Sequence, residues 1–149
     1  SVWLPRFATD RLTRLRPQHN VRQAPYAHWR AQPFVTTLPE AGAIRIVAAN
    51  AAAQSAGVNP GSSLTDARAI SPSLKVVEAN IAADRAYLDG MLTWTRRYTP
   101  WIAIEGVDEH GGAGLWLDVT GCAHLFGGER ALIEDFEVRL NRFGSRSLP

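Results

Sequence analysis

Apolar positions along the chain repeat with two periods, and the switches between them mark the elements. The longest helical stretch is Ile81–Tyr98, where Tyr87, Met91, Trp94 and Tyr98 recur at spacings of three and four, as do Leu88 and Leu92. Pro100 stops it. A second helix is predicted over Glu129–Phe143, burying Leu132, Ile133, Phe136, Leu140 and Phe143. Short apolar or alternating runs predict strands at Val2–Leu4, Phe34–Thr37, Ala43–Ala49, Lys75–Glu78, Trp101–Glu105 and Leu115–Val119. The stretch Pro39–Gly42 reads as a hairpin turn, and the glycine-rich His110–Gly114 as another. Asn50 is placed to cap a short helix over Ala51–Ala56, with Gly57 just past its end. Ser63 is placed to cap a second one ending at Ile70. A brief helix is expected over Asp10–Arg16, and residues 17–33, with Pro17, Pro25 and Pro33, read as a loop.

The order of these elements is α+β. A hairpin unit at residues 34–78 interrupts a series that could otherwise form one sheet. Strands 2–4, 101–105 and 115–119 are expected to share that sheet. Helices 81–98 and 129–143 should lie on one face of it, with Leu88, Leu92, Leu132, Phe136 and Leu140 against Ile102, Ile104, Leu115 and Leu117.

Composition narrows the picture. No apolar run reaches the ~18 residues of a membrane span, and Arg6 and Asp10 interrupt any apolar leader, so the cytoplasm is the expected location. Cys122 is the only cysteine, which excludes an intrachain disulfide and a structural Cys₄ or Cys₂His₂ zinc site. Net charge is +2, yet residues 1–30 carry six arginines against Asp10 alone. Lys75 is the only lysine, so the basic residues are almost all arginine. An arginine-rich stretch suits phosphate and base contacts; it equally suits a solvated loop.

Candidate chemistry is sparse. Asp108, Glu109 and His110 follow one strand and Asp118 ends the next. Carboxylates so placed could ligate Mg²⁺ for phosphoryl transfer, or simply form a solvated turn. Cys122 and His124 make a C-x-H pair without an evident orienting residue. Gly127-Gly128 precedes a helix and is explained equally by an anion site or by turn chemistry.

Three segments resemble the Y-family translesion DNA polymerases, and within them the divergent ImuB branch. They are V-W-L-P-R-F-A-T-D at residues 2–10 and A-I-R-I-V-A-A-N-A-A-A-Q-S-A-G-V-N-P-G-S-S-L-T-D-A-R-A-I-S-P at 43–72. The third runs from Y-T-P-W-I-A-I-E at 98–105 to G-L-W-L-D-V-T-G-C-A-H-L-F-G-G-E at 114–129. The resemblance implies a palm from residues 1–16 and 79–149, with a ferredoxin-like sheet and helices on one face. A small α/β fingers subdomain at 17–78 would be inserted. It also implies that the chain stops before the remaining palm strands, the thumb and the little finger. Together with Ser1 in place of Met, this reads as a fragment, a trimmed product or a truncated paralogue.

The same resemblance shows what is replaced. The metal-binding Asp of the first palm strand falls on Trp3-Leu4-Pro5, and the catalytic Asp-Glu pair on Ala113-Gly114. The fingers Tyr and Arg that reach a triphosphate fall on Ala51 and Gln54, and a hydroxyl on Ala48. Asp118 matches a residue that is not a ligand. The resemblance therefore implies a non-catalytic scaffold with no cofactor, working with a RecA-like accessory protein, a sliding clamp and an error-prone replicative-type polymerase. Primer–template DNA would lie near Val35, Arg45, Val47 and Gly61, aided by Arg11, Arg14 and Arg16. Two alternatives remain: a nucleotidyltransferase using Asp108, Glu109 and Asp118 as shifted Mg²⁺ ligands, or a fragment that binds only protein.

Overall fold

The computed structural model describes residues 1–13 and 26–142. Its elements are β1 (Val2–Leu4), α1 (Phe7–Thr13), β2 (Phe34–Glu40), β3 (Ala43–Ala49), α2 (Ala51–Ser55), α3 (Leu64–Ile70), β4 (Lys75–Glu78), α4 (Ile81–Thr95), β5 (Ile102–Val107), β6 (Ala113–Leu117) and α5 (Glu129–Arg142). One-turn 3₁₀ helices lie at Ala27–Trp29 and Ala123–Phe126.

The strands form two sheets of mixed α+β architecture. The first has the order β1-β6-β5, antiparallel throughout, so the three expected strands do share a sheet. The second has the order β3-β2-β4, with β2 antiparallel to β3 and parallel to β4.

Each sheet has its own core. Leu4 and Leu115 pack with Leu88 and Met91 of α4 and with Leu132, Phe136 and Leu140 of α5. The Trp94 and Phe136 rings are 5.3 Å apart, so the two long helices meet on one face of the first sheet, as their periodicity predicts. In the second core, Val35 and Ile46 of the sheet meet Ala53, Val58, Leu64 and Ala67.

Local chemistry explains the caps. The Asn50 Oδ1 accepts from the Ala53 N–H at 2.9 Å and from the Phe34 N–H at 3.1 Å, while Nδ2 donates to the Gln32 carbonyl at 2.8 Å. One buried side chain thus starts α2 and pins the chain entering β2. Ser63 caps α3, its Oγ accepting from the Asp66 N–H.

Several expectations are corrected. The first helix starts at Phe7 instead of Asp10, because the Asp10 N–H already bonds the Arg6 carbonyl. The β2–β3 turn is only Ala41-Gly42, both left-handed (φ 47° and 81°), so Pro39 belongs to β2. Strand β4 pairs only with Phe34–Thr37, which leaves Pro39 opposite no β4 donor or acceptor. Helix α4 ends at Thr95, whose hydroxyl donates back to the Leu92 carbonyl, three residues before Tyr98. Strands β5 and β6 are each shifted: β5 extends to Val107 and β6 begins at Ala113. Ile133 faces solvent, being displaced from the Leu132–Phe136–Leu140 stripe by one residue. Phe143 and most of the expected 17–33 loop lie outside the described residues. The end of that segment is ordered by aromatic stacking of Tyr26 on Trp29 (4.8 Å) and on Phe34 (6.0 Å).

Tyr98 joins α4 to α5. Its buried hydroxyl donates to Asp135 Oδ2 at 2.8 Å, and Arg139 Nε donates to the same carboxylate. Burial, then the Asp135 hydrogen bond and charge, push the Tyr98 hydroxyl from 10.0 up to about 12. The folded state therefore holds this proton more tightly than the unfolded chain does. The stability it contributes is complete below pH 10 and is lost as pH rises towards about 12. Denaturant melts across that window should show a steeper alkaline loss for the parent protein than for Tyr98→Phe. Parallel curves would mean that the buried hydroxyl is not linked to folding.

Candidate functional site

The positions that the resemblance marks as replaced are divided among the two faces of the first sheet, the seam between the sheets, and α2. Trp3 of β1 pairs with Gly114 of β6, and Leu4 pairs with Ala113. Alternation then turns Trp3 and Gly114 to the face away from the helices, and Ala113 towards the core with Leu4.

The Trp3 indole is seated by glycine. A Cβ at Gly112 would lie 2.7 Å from Trp3 Cζ2. A Cβ at Gly114 would lie 2.7 Å from Glu105 Oε2, 2.9 Å from Glu105 Cβ and 3.4 Å from Trp3 Cε3. Room for a carboxylate at position 114 is thus taken by the Trp3 ring and the Glu105 side chain. The donor set does not fit a pair of catalytic Mg²⁺ ions: Trp3, Ala113 and Gly114 offer no side-chain oxygen, and the carboxylates beside the indole are Glu105 and Asp108, whose Oδ2 would lie 3.1 Å from a Cβ at Gly112 and whose Oδ1 is held by the turn.

The seam is closed just as tightly. Ala48 of β3 is fully buried, and a Cβ at Gly111 would lie 2.5 Å from the Ala48 Cβ and 3.2 Å from the Ala8 Cβ. The Ala8 N–H donates to the Gly111 carbonyl at 3.0 Å. Gly111 has φ +74°, a conformation that suits glycine. Ala51 is exposed and Gln54 half-buried on α2, so no cation stands at either position.

Beside this seam opens a cleft of about 470 Å³. It brings together Arg45, Val47 and Gly61 from the second sheet and its turn with Asp108, Glu109 and His110 from the β5–β6 turn. Arg45 is half-exposed, paired with Glu40 at 2.9 Å, and its Nη1 donates to the Gly61 carbonyl at 3.1 Å. Asp108 Oδ1 accepts from the His110 N–H at 2.8 Å and the Gly112 N–H at 2.7 Å, so this carboxylate builds the turn.

Other expected residues do not join them. Val35 is fully buried in the second core, which corrects its assignment as a DNA contact. Arg11 lies elsewhere, its guanidinium engaged by Asp84 of α4. Arg14 and Arg16 lie outside the described residues. Asp118 sits beyond the far end of β6, while Asp108 precedes its start, so Asp108, Glu109 and Asp118 cannot share an ion. Hydrogen bonds from Thr120 hold the Asp118 carboxyl below the usual carboxylate range. Among the described residues, no group of three or more His, Cys, Asp and Glu is placed to hold a metal. Cys122 is half-buried, His124 is exposed, and Gly127 and Gly128 are turn glycines with positive φ. No helix among the described residues is long and apolar enough to cross a membrane.

Sequence reasoning missed Gly111 and Gly112 as packing positions, since three glycines in His110–Gly114 looked like turn chemistry alone. It also missed the Arg11–Asp84 pair, for which spacing across 73 residues gives no signal.

Known proteins share this fold. The fold is similar to DinB from Sulfolobus solfataricus, with a TM-score of 0.65 and 20% identity over 81% of this chain and 35% of that one. An insertion ternary complex of Dbh DNA polymerase gives a TM-score of 0.67 at 18% identity over the same shares. These likenesses place both sheets and their helices in the palm and fingers region of a Y-family polymerase fold. Protein ImuB of Caulobacter vibrioides is 43% identical over 88 residues, covering 59% of this chain and 18% of that protein. The chain thus spans under a fifth of its curated relatives' length. The impB/mucB/samB family model matches residues 5–143, from the turn after β1 to the end of α5, and the chain belongs to that family.

Proposed function

We propose that this chain is the palm–fingers portion of an ImuB-like protein that no longer transfers nucleotides and serves damage-induced translesion synthesis as a DNA-facing scaffold. The observation that carries this reading is the Trp3 indole, packed on Gly112 and Gly114 where phosphoryl transfer needs oxygen ligands. The buried Ala48–Gly111–Ala8 contact supports it, because it fills the seam beside the replaced triphosphate contacts. The 43% identity to Protein ImuB supports the damage-related role. A RecA-like accessory protein, a sliding clamp and an error-prone polymerase are the proposed partners, met mainly through regions beyond this chain.

Primer extension in Mg²⁺ tests the loss of catalysis, and the expected result is no incorporation from any dNTP. Template-dependent incorporation abolished by Asp108→Ala would overturn the proposal in favour of a nucleotidyltransferase. Primer–template binding should be weak, with a salt slope of roughly two to four phosphate contacts at about −0.9 each. Arg45→Ala should reduce that slope by about one contact. Undetectable binding at low salt would instead favour the DNA-independent interaction fragment.

A further inference from the structure

The open face of the first sheet carries a diagonal of three tryptophans. Trp3 pairs with Gly114, and Trp116 stands two residues further along β6 on the same face. Trp116 pairs with Ala103, and Trp101 stands two residues before it. Diagonal neighbours of this kind are about 7–8 Å apart. Two of the three indoles are presented to solvent: Trp116, on the middle strand, is 55% exposed and Trp101 73%. Large aromatics left outside the core in a row are uncommon on a surface with no partner.

The charge on this face has one sign. Strands β1, β5 and β6 contain no arginine or lysine; their only charged residue is Glu105, and Asp118 follows β6 beside Trp101. Both carboxylates are exposed, and neither forms an ion pair with a described residue. Phosphates would be repelled here, whereas guanidinium and ammonium groups would meet carboxylates and indole faces together. The tryptophan spacing also suits an extended chain, whose alternate side chains repeat every ~6.6–6.8 Å.

We propose that the Trp3–Trp116–Trp101 diagonal, with Glu105 and Asp118, docks an extended arginine- or lysine-bearing segment of a partner protein. Cationic side chains at alternate positions lie over the indoles and pair with the flanking carboxylates. This surface is on the sheet face, apart from the Arg45–Gly61 cleft proposed for DNA, so either assignment can fail without the other.

The test uses this chain and a fluorescein-labelled peptide of alternating arginine and threonine, followed by anisotropy. A glutamate–threonine peptide and an oligothymidine strand serve as competitors. Saturable binding that weakens with salt is expected, with loss of roughly three- to tenfold in affinity for Trp116→Ala and for Trp101→Ala. Glu105→Gln with Asp118→Asn should weaken it similarly while leaving the melting temperature unchanged. Arg45→Ala should leave peptide binding unaltered. Three results overturn the proposal: no saturable binding, displacement of the peptide by oligothymidine with tighter oligothymidine binding in the Gln/Asn variant, or concentration-dependent self-association abolished by Trp116→Ala. The last two assign the face to nucleic acid or to a second copy.

Discussion

Gly111→Ala lowers the unfolding free energy by roughly 2–5 kcal/mol, counting overpacking and left-handed strain together. Two independent costs meet at this residue. Its φ of +74° is disfavoured for any side chain, and the new methyl would lie 2.5 Å from the Ala48 Cβ. Ala48 is fully buried, paired with Thr36 of β2 near the end of β3, and has no flexible end that could move aside. The β5–β6 turn must retreat instead, which pulls the Gly111 carbonyl from the Ala8 N–H. Urea denaturation measures the loss. Gly121→Ala is the matched control: it has a similar φ of +77° but nothing within 4 Å, so it should cost only the backbone strain. Equal losses for the two variants would show that the seam is not tightly packed.

Arg11→Ala costs about 3–5 kcal/mol, the range for stranding one member of a buried ion pair. The Asp84 side chain is 3% exposed and that of Arg11 16%, so water reaches the carboxylate poorly once the guanidinium is gone. The pair clamps α1 to the first turn of α4, two helices that sequence separates widely. Asp84→Asn in the Arg11→Ala background removes the stranded charge and should recover a good part of the loss. A double variant no more stable than Arg11→Ala alone would sink the explanation. The expectation that Arg11 binds DNA makes the opposite demand, a free guanidinium and little effect on folding.

Much of the fold was legible because period and punctuation agreed. Leu88 and Leu92 declared α4, Asn50 and Gly57 bracketed α2, and the alternation in Ile102–Ile104 and Leu115–Leu117 assigned the inner face of the first sheet. The replaced site positions were legible as a resemblance, since absent carboxylates at residues 3, 113 and 114 can be read from sequence. How those positions are filled could not be read. Whether Trp3 points at a glycine depends on pairing with β6, more than a hundred residues away. Val35 is set beside DNA by the resemblance alone, which gives its place on β2 but not that Ile46, Ala53 and Leu64 cover its side chain. Arg11 looked free because composition registers a charge and not its partner.

A carboxylate at position 114 requires Trp3 and Glu105 to withdraw first, and a smaller residue at position 3 alone leaves a gap over Gly112 and Gly114. No single substitution yields both a liganding side chain and a filled face. The packing therefore ties positions 3, 105, 112 and 114 together: a change at one of them is expected to be tolerated only when its neighbours change with it.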